Sequence, residues 1–271
     1  MKNLIPLQDN VKLAYRSSFS SKQEPYLSFL NAHLAHVEQA IDAYHAAAPL
    51  LLNLQPQMMS DTDRVNFQSI YSSKTKEFRS YLALLRTSQP TNFQKDICQY
   101  CGINLNRSID HFFPKETYPM FSGVISNLIP CCKDCNQLKG LKTYSNGQRS
   151  FINLYHDTYL NIPFLICNVH FIPTLNINFT LDLAGLPQPA QLIVSNHFRE
   201  LNLLQTYNSA IGTFFESTAR ECRGYDNASL RDSITRKINS LESVQGTNCF
   251  QVALLKALLQ NINHFHGFIN Q

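Results

Sequence analysis

Between Cys98 and Gly140 the chain gathers the residue types that hold metal ions and move protons. Cys98-Gln99-Tyr100-Cys101 and Cys132-Lys133-Asp134-Cys135 are two Cys-x-x-Cys pairs. Each sets two thiolates on one tight turn, and two such turns complete a tetrahedral four-cysteine zinc site. Gly102 follows the first pair, where permissive backbone is useful. A closed site of four thiolates leaves no open position, so its Zn²⁺ is structural and supplies no chemistry. The pairs are separated by 30 residues, more than a simple zinc ribbon uses, so a functional insert is expected between them. Cys131 competes with Cys132, but only Cys132 leaves two residues before Cys135. The alternative for the whole cluster is a set of buried or redox thiols.

The insert carries Asp110-His111-Phe112-Phe113-Pro114-Lys115 and Asn127-Leu128, and Asn136 follows the last cysteine. Hydrolysis of a phosphodiester needs a base that works near neutral pH, which His111 offers. It also needs charge neutralisation at the phosphoryl and leaving oxygens, which a divalent cation supplies. A hard cation takes oxygen ligands, here the Asp110 carboxylate and the Asn136 amide. Singly, each residue also has a structural reading: Asp110 in a turn, His111 packed between phenylalanines, Asn127 and Asn136 as caps. Neighbours on a regular strand point to opposite faces, so Asp110 and His111 can share one phosphate only on a bent strand. The expected unit is a β-hairpin facing a short helix that starts near Cys132–Asn136 and stops at Gly140. Lys115, Lys133, Lys139 and Lys142 make a local basic face; Lys115, Lys139 and Arg107 are the candidates for phosphate contact.

In this order the residues resemble the HNH nucleases of the ββα-metal superfamily, in their cysteine-containing subtype. The resemblance implies that His111 is the general base. It implies that Asp110 and Asn136 hold a catalytic Mg²⁺ or Mn²⁺, and that Asn127 braces the loop positioning His111. Asn136 stands where the family often has a final His, which favours a hard cation over a soft one. Further along, Asn196-His197-Phe198-Arg199-Glu200-Leu201-Asn202-Leu203 and Arg220 are similar to the C-terminal half of PtuB-type HNH proteins. That resemblance implies an anti-phage setting and an ATPase partner subunit.

The flanks must position this module. From Tyr26, the spacing of Leu27, Leu30, Leu34, Val37, Ile41 and Tyr44 predicts one helix ending near Pro49. A second is predicted from about Ser60 to a stop at Ser88-Gln89-Pro90, with Phe67, Ile70, Tyr71, Lys74, Phe78, Tyr81, Leu82 and Leu85 as its stripe, giving an antiparallel hairpin. Residues 1–20 show no period and read as an arm. His33, His36 and His45 read as surface or satisfied histidines, and Met58-Met59 as core. Strict alternation over 175–183 predicts a strand paired with 164–172. Three helical patterns follow, the first running from about Ser195 to Glu221. The expected fold class is therefore α+β: a mainly helical chain, a central zinc-stapled ββα module and a small C-terminal antiparallel β element. The expected divisions are 1–95, 96–147 and 148–271.

Of 271 residues, 44% are hydrophobic and the net charge is +4, which permits a polyanionic partner without requiring one. No apolar run approaches the roughly 20 residues of a membrane span. The N-terminus lacks the pattern of a secretory signal, so a cytoplasmic protein is expected. Five of the eight cysteines lie within residues 98–135, which fits metal binding better than a disulfide framework. Cys167, Cys222 and Cys249 read as packing thiols. The leading reading is a metal-dependent endonuclease acting on DNA, alone or as an oligomer, in a prokaryotic defence or mobile-element setting. RNA, such as a tRNA loop, is the alternative substrate. A zinc-stapled binding or scaffolding subunit without catalysis is the alternative of another class.

Overall fold

The computed structural model describes residues 1–7, 10–48, 51, 54–145 and 147–271. Pro49 lies outside them. Among the described residues the chain is mostly helical with three small antiparallel hairpins, an α+β fold. It forms two compact units: Asn3–Asp157, and Thr158–Gln271 with Met1–Lys2. The expected divisions after residues 95 and 147 both fall inside the first unit.

In the first unit, six helices precede the cysteine region: α1 Val11–Phe19, α2 Tyr26–Ala32, α3 Leu34–Ala47, α4 Asp61–Ser72, α5 Lys76–Thr87 and α6 Asn92–Asp96. Four expectations need correction. The arm read over 1–20 contains α1. Asn10 caps it by accepting from the Lys12 and Leu13 amides, and Ala14, Tyr15, Ser18 and Phe19 are its buried face. Interspersed serines hid that period. The helix expected from Tyr26 breaks at His33, giving α2 and α3. The helix expected from Ser60 is two. Lys22 Nζ donates to the Ser69 and Ser73 carbonyls (2.8 and 2.7 Å) at the end of α4, a favourable place for a cation. Thr75 then caps α5 by accepting from the Phe78 amide at 3.1 Å. Met58, read as core, is 95% exposed.

The cysteine region follows as β1 Ser108–His111, β2 Leu128–Cys131 and α7 Lys133–Lys139. β1 and β2 pair antiparallel, with Asp110 opposite Ile129 and His111 opposite Leu128. This is the expected ββα order. Cys132 caps α7, its sulfur accepting from the Cys135 amide at 3.3 Å. Gly140 ends it at φ +53°, a conformation that costs other residues more. A short hairpin absent from the sequence expectations follows, β3 Tyr144–Ser145 with β4 Gln148–Arg149.

The helices of this unit brace the long loop between β1 and β2. Tyr44 Oη donates to the Ser126 carbonyl at 3.0 Å, and Gln68 Nε2 to the Lys115 carbonyl at 3.0 Å. Tyr44, Phe113, Phe121 and Tyr118 form a buried or nearly buried aromatic cluster behind it. Arg149 and Asp157, both buried, make a two-pronged ion pair (3.0 and 2.6 Å) that anchors the end of the unit.

In the second unit β5 Leu165–His170 pairs with β6 Asn176–Leu181, Cys167 opposite Phe179. Leu165, Cys167 and Val169 are buried while Ile166 and His170 are exposed, the alternation of a one-sided strand. The helices are α8 Gln188–Glu200, α9 Leu203–Glu221, α10 Asn227–Gln245, α11 Phe250–Gln260 and α12 Ile262–Ile269. α11 packs on β5 and α9 on β6. The first helical pattern, read from Ser195, is thus two helices. Asn202 at φ +52° separates them, a left-handed position that Asn tolerates. Asn248, fully buried, accepts from the Phe164 and Leu165 amides and donates to the Leu160 and Ile162 carbonyls. Cys167, Cys222 and Cys249 are buried and unpaired as disulfides. No helix among the described residues is long and apolar enough to cross a membrane.

Candidate metal and catalytic centre

The four sulfurs of Cys98, Cys101, Cys132 and Cys135 lie within 4.8 Å of one another and are buried. The Cys101 and Cys132 sulfurs are 4.0 Å apart. That separation suits a tetrahedral ion with bonds of about 2.3 Å to sulfur. The turn after the first pair closes through Gly102, whose amide donates to the Cys98 carbonyl at 2.7 Å with φ +70°. Hydrogen bonds from its sulfur neighbours, Cys101 first, hold the Cys132 thiol far below its ordinary pKa and push Cys135 far above. Four buried sulfurs this close together are a donor set for a zinc-like cation. Cys131 stays on β2, buried, its thiol pushed up by desolvation. The competition between Cys131 and Cys132 resolves in favour of Cys132.

β1 and α7 line an open cleft of about 550 Å³. Asp110, His111, Lys115 and Asn136 all line it, together with Lys133 and Tyr71. His111 is 8% exposed, and its Nε2 bonds the Ser122 carbonyl at 3.1 Å. An imidazole donating Nε2–H to a carbonyl keeps its lone pair on Nδ1. Burial holds its pKa down to about 4, so it is neutral at pH 7. The edge of the ring meets Tyr71 of α4, centroids 4.4 Å apart, which fixes its plane. Asn127 is fully buried behind the cleft. Its Oδ1 accepts from the Phe113 amide (2.8 Å) and its Nδ2 donates to the Phe113 carbonyl (3.0 Å). The backbone two residues after His111 is thereby clamped.

Asp110 is held from two sides. Its Oδ2 accepts from Tyr100 Oη at 2.9 Å, and its Oδ1 lies 3.0 Å from Lys139 Nζ. Burial, then the Asp110 charge, keeps the Tyr100 phenol protonated and donating. Lys139 also donates to the His111 carbonyl at 2.9 Å and is fully buried. This corrects the expectation that Lys139 faces phosphate: its ammonium is spent on Asp110 and on the backbone of β1. Asn136, which lines the cleft, donates through Nδ2 to Ser108 Oγ at 2.9 Å, which leaves Oδ1 as its acceptor. Arg107 lies outside this cleft, in a neighbouring one.

These donors fit a hard cation. A carboxylate offers about four lone-pair sites, and Asp110 uses two, one per oxygen. Because Lys139 already offsets part of its charge, a cation here needs further oxygens. Asn136, water and a substrate phosphate are the kind that Mg²⁺ accepts. Tyr100, Lys139 and Tyr71 were not among the expected site residues in these roles. Lys139 was traceable. A helix starting at Cys132 puts residues 135 and 139 on one face, and Cys135 must point inward. Tyr100 sits at an unspecified position inside the first cysteine pair, with no signal of its role.

One expected outcome follows from the Asp110–Lys139 pair. Lys139→Met should destabilise the protein by about 3–5 kcal/mol, because it strands a buried carboxylate. Chemical denaturation of the zinc-loaded protein measures it; a loss below about 1 kcal/mol would mean the pair is not closed in solution.

Residues 98–142 match the family model described as HNH endonuclease, so the chain carries an HNH segment, here with four clustered cysteines. Such a segment supports metal-dependent nuclease chemistry and a nucleic-acid substrate. Protein ea31 of Escherichia phage lambda is 24% identical over 238 residues, 84% of this chain and 74% of that protein. Septu protein PtuB of Bacillus thuringiensis is 38% identical over 66 residues, 22% of this chain and 25% of that protein. No solved structure matches the chain.

Proposed function

We propose that the protein is a metal-dependent endonuclease that hydrolyses phosphodiester bonds of DNA in the cleft between β1 and α7. The observation that carries this reading is the convergence of Asp110, His111 and Asn136 on one open cleft beside a cysteine cluster. Asp110 and Asn136 would hold Mg²⁺ or Mn²⁺. When bound, that ion neutralises charge on the phosphoryl and leaving oxygens. His111 takes the proton of the attacking water at Nδ1, while Ser122 and Tyr71 keep the ring from turning. Asn127 holds the loop that sets His111 against the cleft. Lys139 and Tyr100 fix the Asp110 carboxylate. Lys115, on the rim, contacts the substrate phosphate. The cysteine cluster holds Zn²⁺ and joins α7 to the start of the hairpin.

In this reading, residues 96–147 are the nuclease module, 1–95 a helical cradle, and 148–271 an accessory region that serves partner contact. Similarity to a Septu protein and to a phage protein supports a setting in the contest between phages and their hosts. An ATPase partner subunit and a cytoplasmic location belong to the same proposal.

Incubation with labelled duplex DNA, single-stranded DNA and tRNA in parallel, with Mg²⁺ or Mn²⁺, tests the substrate. Cleavage of DNA is expected. Cleavage of tRNA alone would replace the DNA assignment, and zinc-loaded protein that binds nucleic acid yet cleaves none of the three would favour the scaffolding alternative.

A further inference from the structure

Next to the HNH cleft lies a second one, of about 430 Å³. Tyr71, Ser108 and Ile109 line both, so the two clefts are neighbours at β1. Four cations converge on the second cleft, Lys74, Arg79, Arg86 and Arg107, and among the described residues no carboxylate lines it. Arg79 and Arg86 stand two turns apart on one face of α5. Among the described residues, none of the four makes an ion pair. Arg86 Nη2 donates to the Ser108 carbonyl at 3.1 Å, whereas its Nε is buried without a partner. Lys74 Nζ lies 3.9 Å from the centre of the Tyr71 ring, held over the shared wall. Several other cations do pair with acids, Lys12 with Asp42 and Arg16 with Glu38 among them. Four unpaired like charges facing one groove repel one another, and a polyanion relieves that cost.

We propose that this cleft binds the phosphate backbone of the nucleic-acid strand that continues out of the HNH cleft. Lys74, Arg79, Arg86 and Arg107 are its phosphate ligands. The proposal rests on the nuclease reading and deepens it. It assigns substrate binding to α5 and the link before it, both outside residues 98–142, with Arg107 contributed from within them. The contacts go to backbone and not to base edges, so the cleft contributes affinity and strand path without sequence preference.

The test compares full-length wild type with the triple variant Lys74→Gln, Arg79→Gln, Arg107→Gln. Arg86 is left in place because it holds the Ser108 carbonyl. Fluorescence anisotropy of a labelled DNA oligonucleotide, without added divalent cation, is followed across a salt series. Losing three phosphate contacts should make the slope of log K against log[salt] shallower by roughly 2–3, and weaken binding at low salt by about 10–100-fold. Thermal melting should be unchanged. A slope equal to wild type overturns the proposal. So does wild-type binding to phosphatidylserine vesicles with none to the oligonucleotide. Cleavage by the wild type is read separately. A reduced slope without wild-type cleavage supports the cleft and sinks the nuclease reading. An unchanged slope with cleavage intact sinks the cleft alone.

Discussion

Replacing His111 by Ala is expected to lower the rate of Mg²⁺- or Mn²⁺-supported phosphodiester cleavage by roughly 10²–10⁴-fold, the usual cost of losing a general base. The ring is nearly buried, tied to the Ser122 carbonyl and packed on Tyr71, with desolvation keeping it neutral. Removing it deletes the basic nitrogen and also leaves the Ser122 carbonyl short of a partner. Folding must therefore be read alongside rate. His111→Gln retains a side-chain donor for that carbonyl without supplying a base. Both variants should be equally slow in single-turnover cleavage, where substrate affinity does not enter. Equal rates in wild type and both variants would remove His111 from the chemistry.

Cys132→Ser is expected to abolish zinc retention and soluble folding of the HNH segment. Zinc in comparable small sites supplies about 10–16 kcal/mol of apparent binding energy at pH 7. Whole domains are stable by only about 5–15 kcal/mol. Cys132 has a double part, since its sulfur sits in the cluster and caps α7 through the Cys135 amide. Cys131→Ser is the matched control, because that thiol sits on β2 outside the cluster. Metal analysis of purified protein should find about one zinc per chain in wild type and Cys131→Ser, and almost none in any soluble Cys132→Ser. Equal zinc in the two variants would overturn the ligand assignment.

How far the sequence carried the structure depended on whether the signal was local. The cysteine pairs, Gly140 and the ββα order were readable because each rests on short-range geometry: a tight turn, a capped helix, a positive φ. The alternation over 175–183 likewise foretold β6 and its pairing with β5. Helix interruptions were missed where tertiary contacts decide them. Nothing near Ser73 in sequence announces that Lys22 will reach its carbonyl, and Thr75 in an amphipathic run reads as one more polar residue. Asn202 could have been weighed, since Asn is the non-glycine residue most at ease in a left-handed break.

At the centre, Asp110, His111 and Asn136 were legible as donors, but not the groups that restrain them. Tyr100 and Tyr71 come from a cysteine turn and from α4, and long-range packing alone brings them to β1. The inward turn of Lys139 shows how a basic residue near a phosphate-handling cleft can serve the scaffold. The basic cleft was equally hidden. Lys74, Arg79 and Arg86 are spread over helical surface in the sequence, and only the fold sets them against Arg107.

The central claim is that Asp110 and Asn136 hold a divalent ion against His111. Crystals of the zinc-loaded protein soaked with Mn²⁺, with anomalous maps at the manganese edge, address it directly. A second ion is expected in the β1–α7 cleft, about 2–2.3 Å from an Asp110 oxygen and from Asn136 Oδ1. Manganese bound only elsewhere on the protein, with Asp110 still engaged solely by Tyr100 and Lys139, would contradict it.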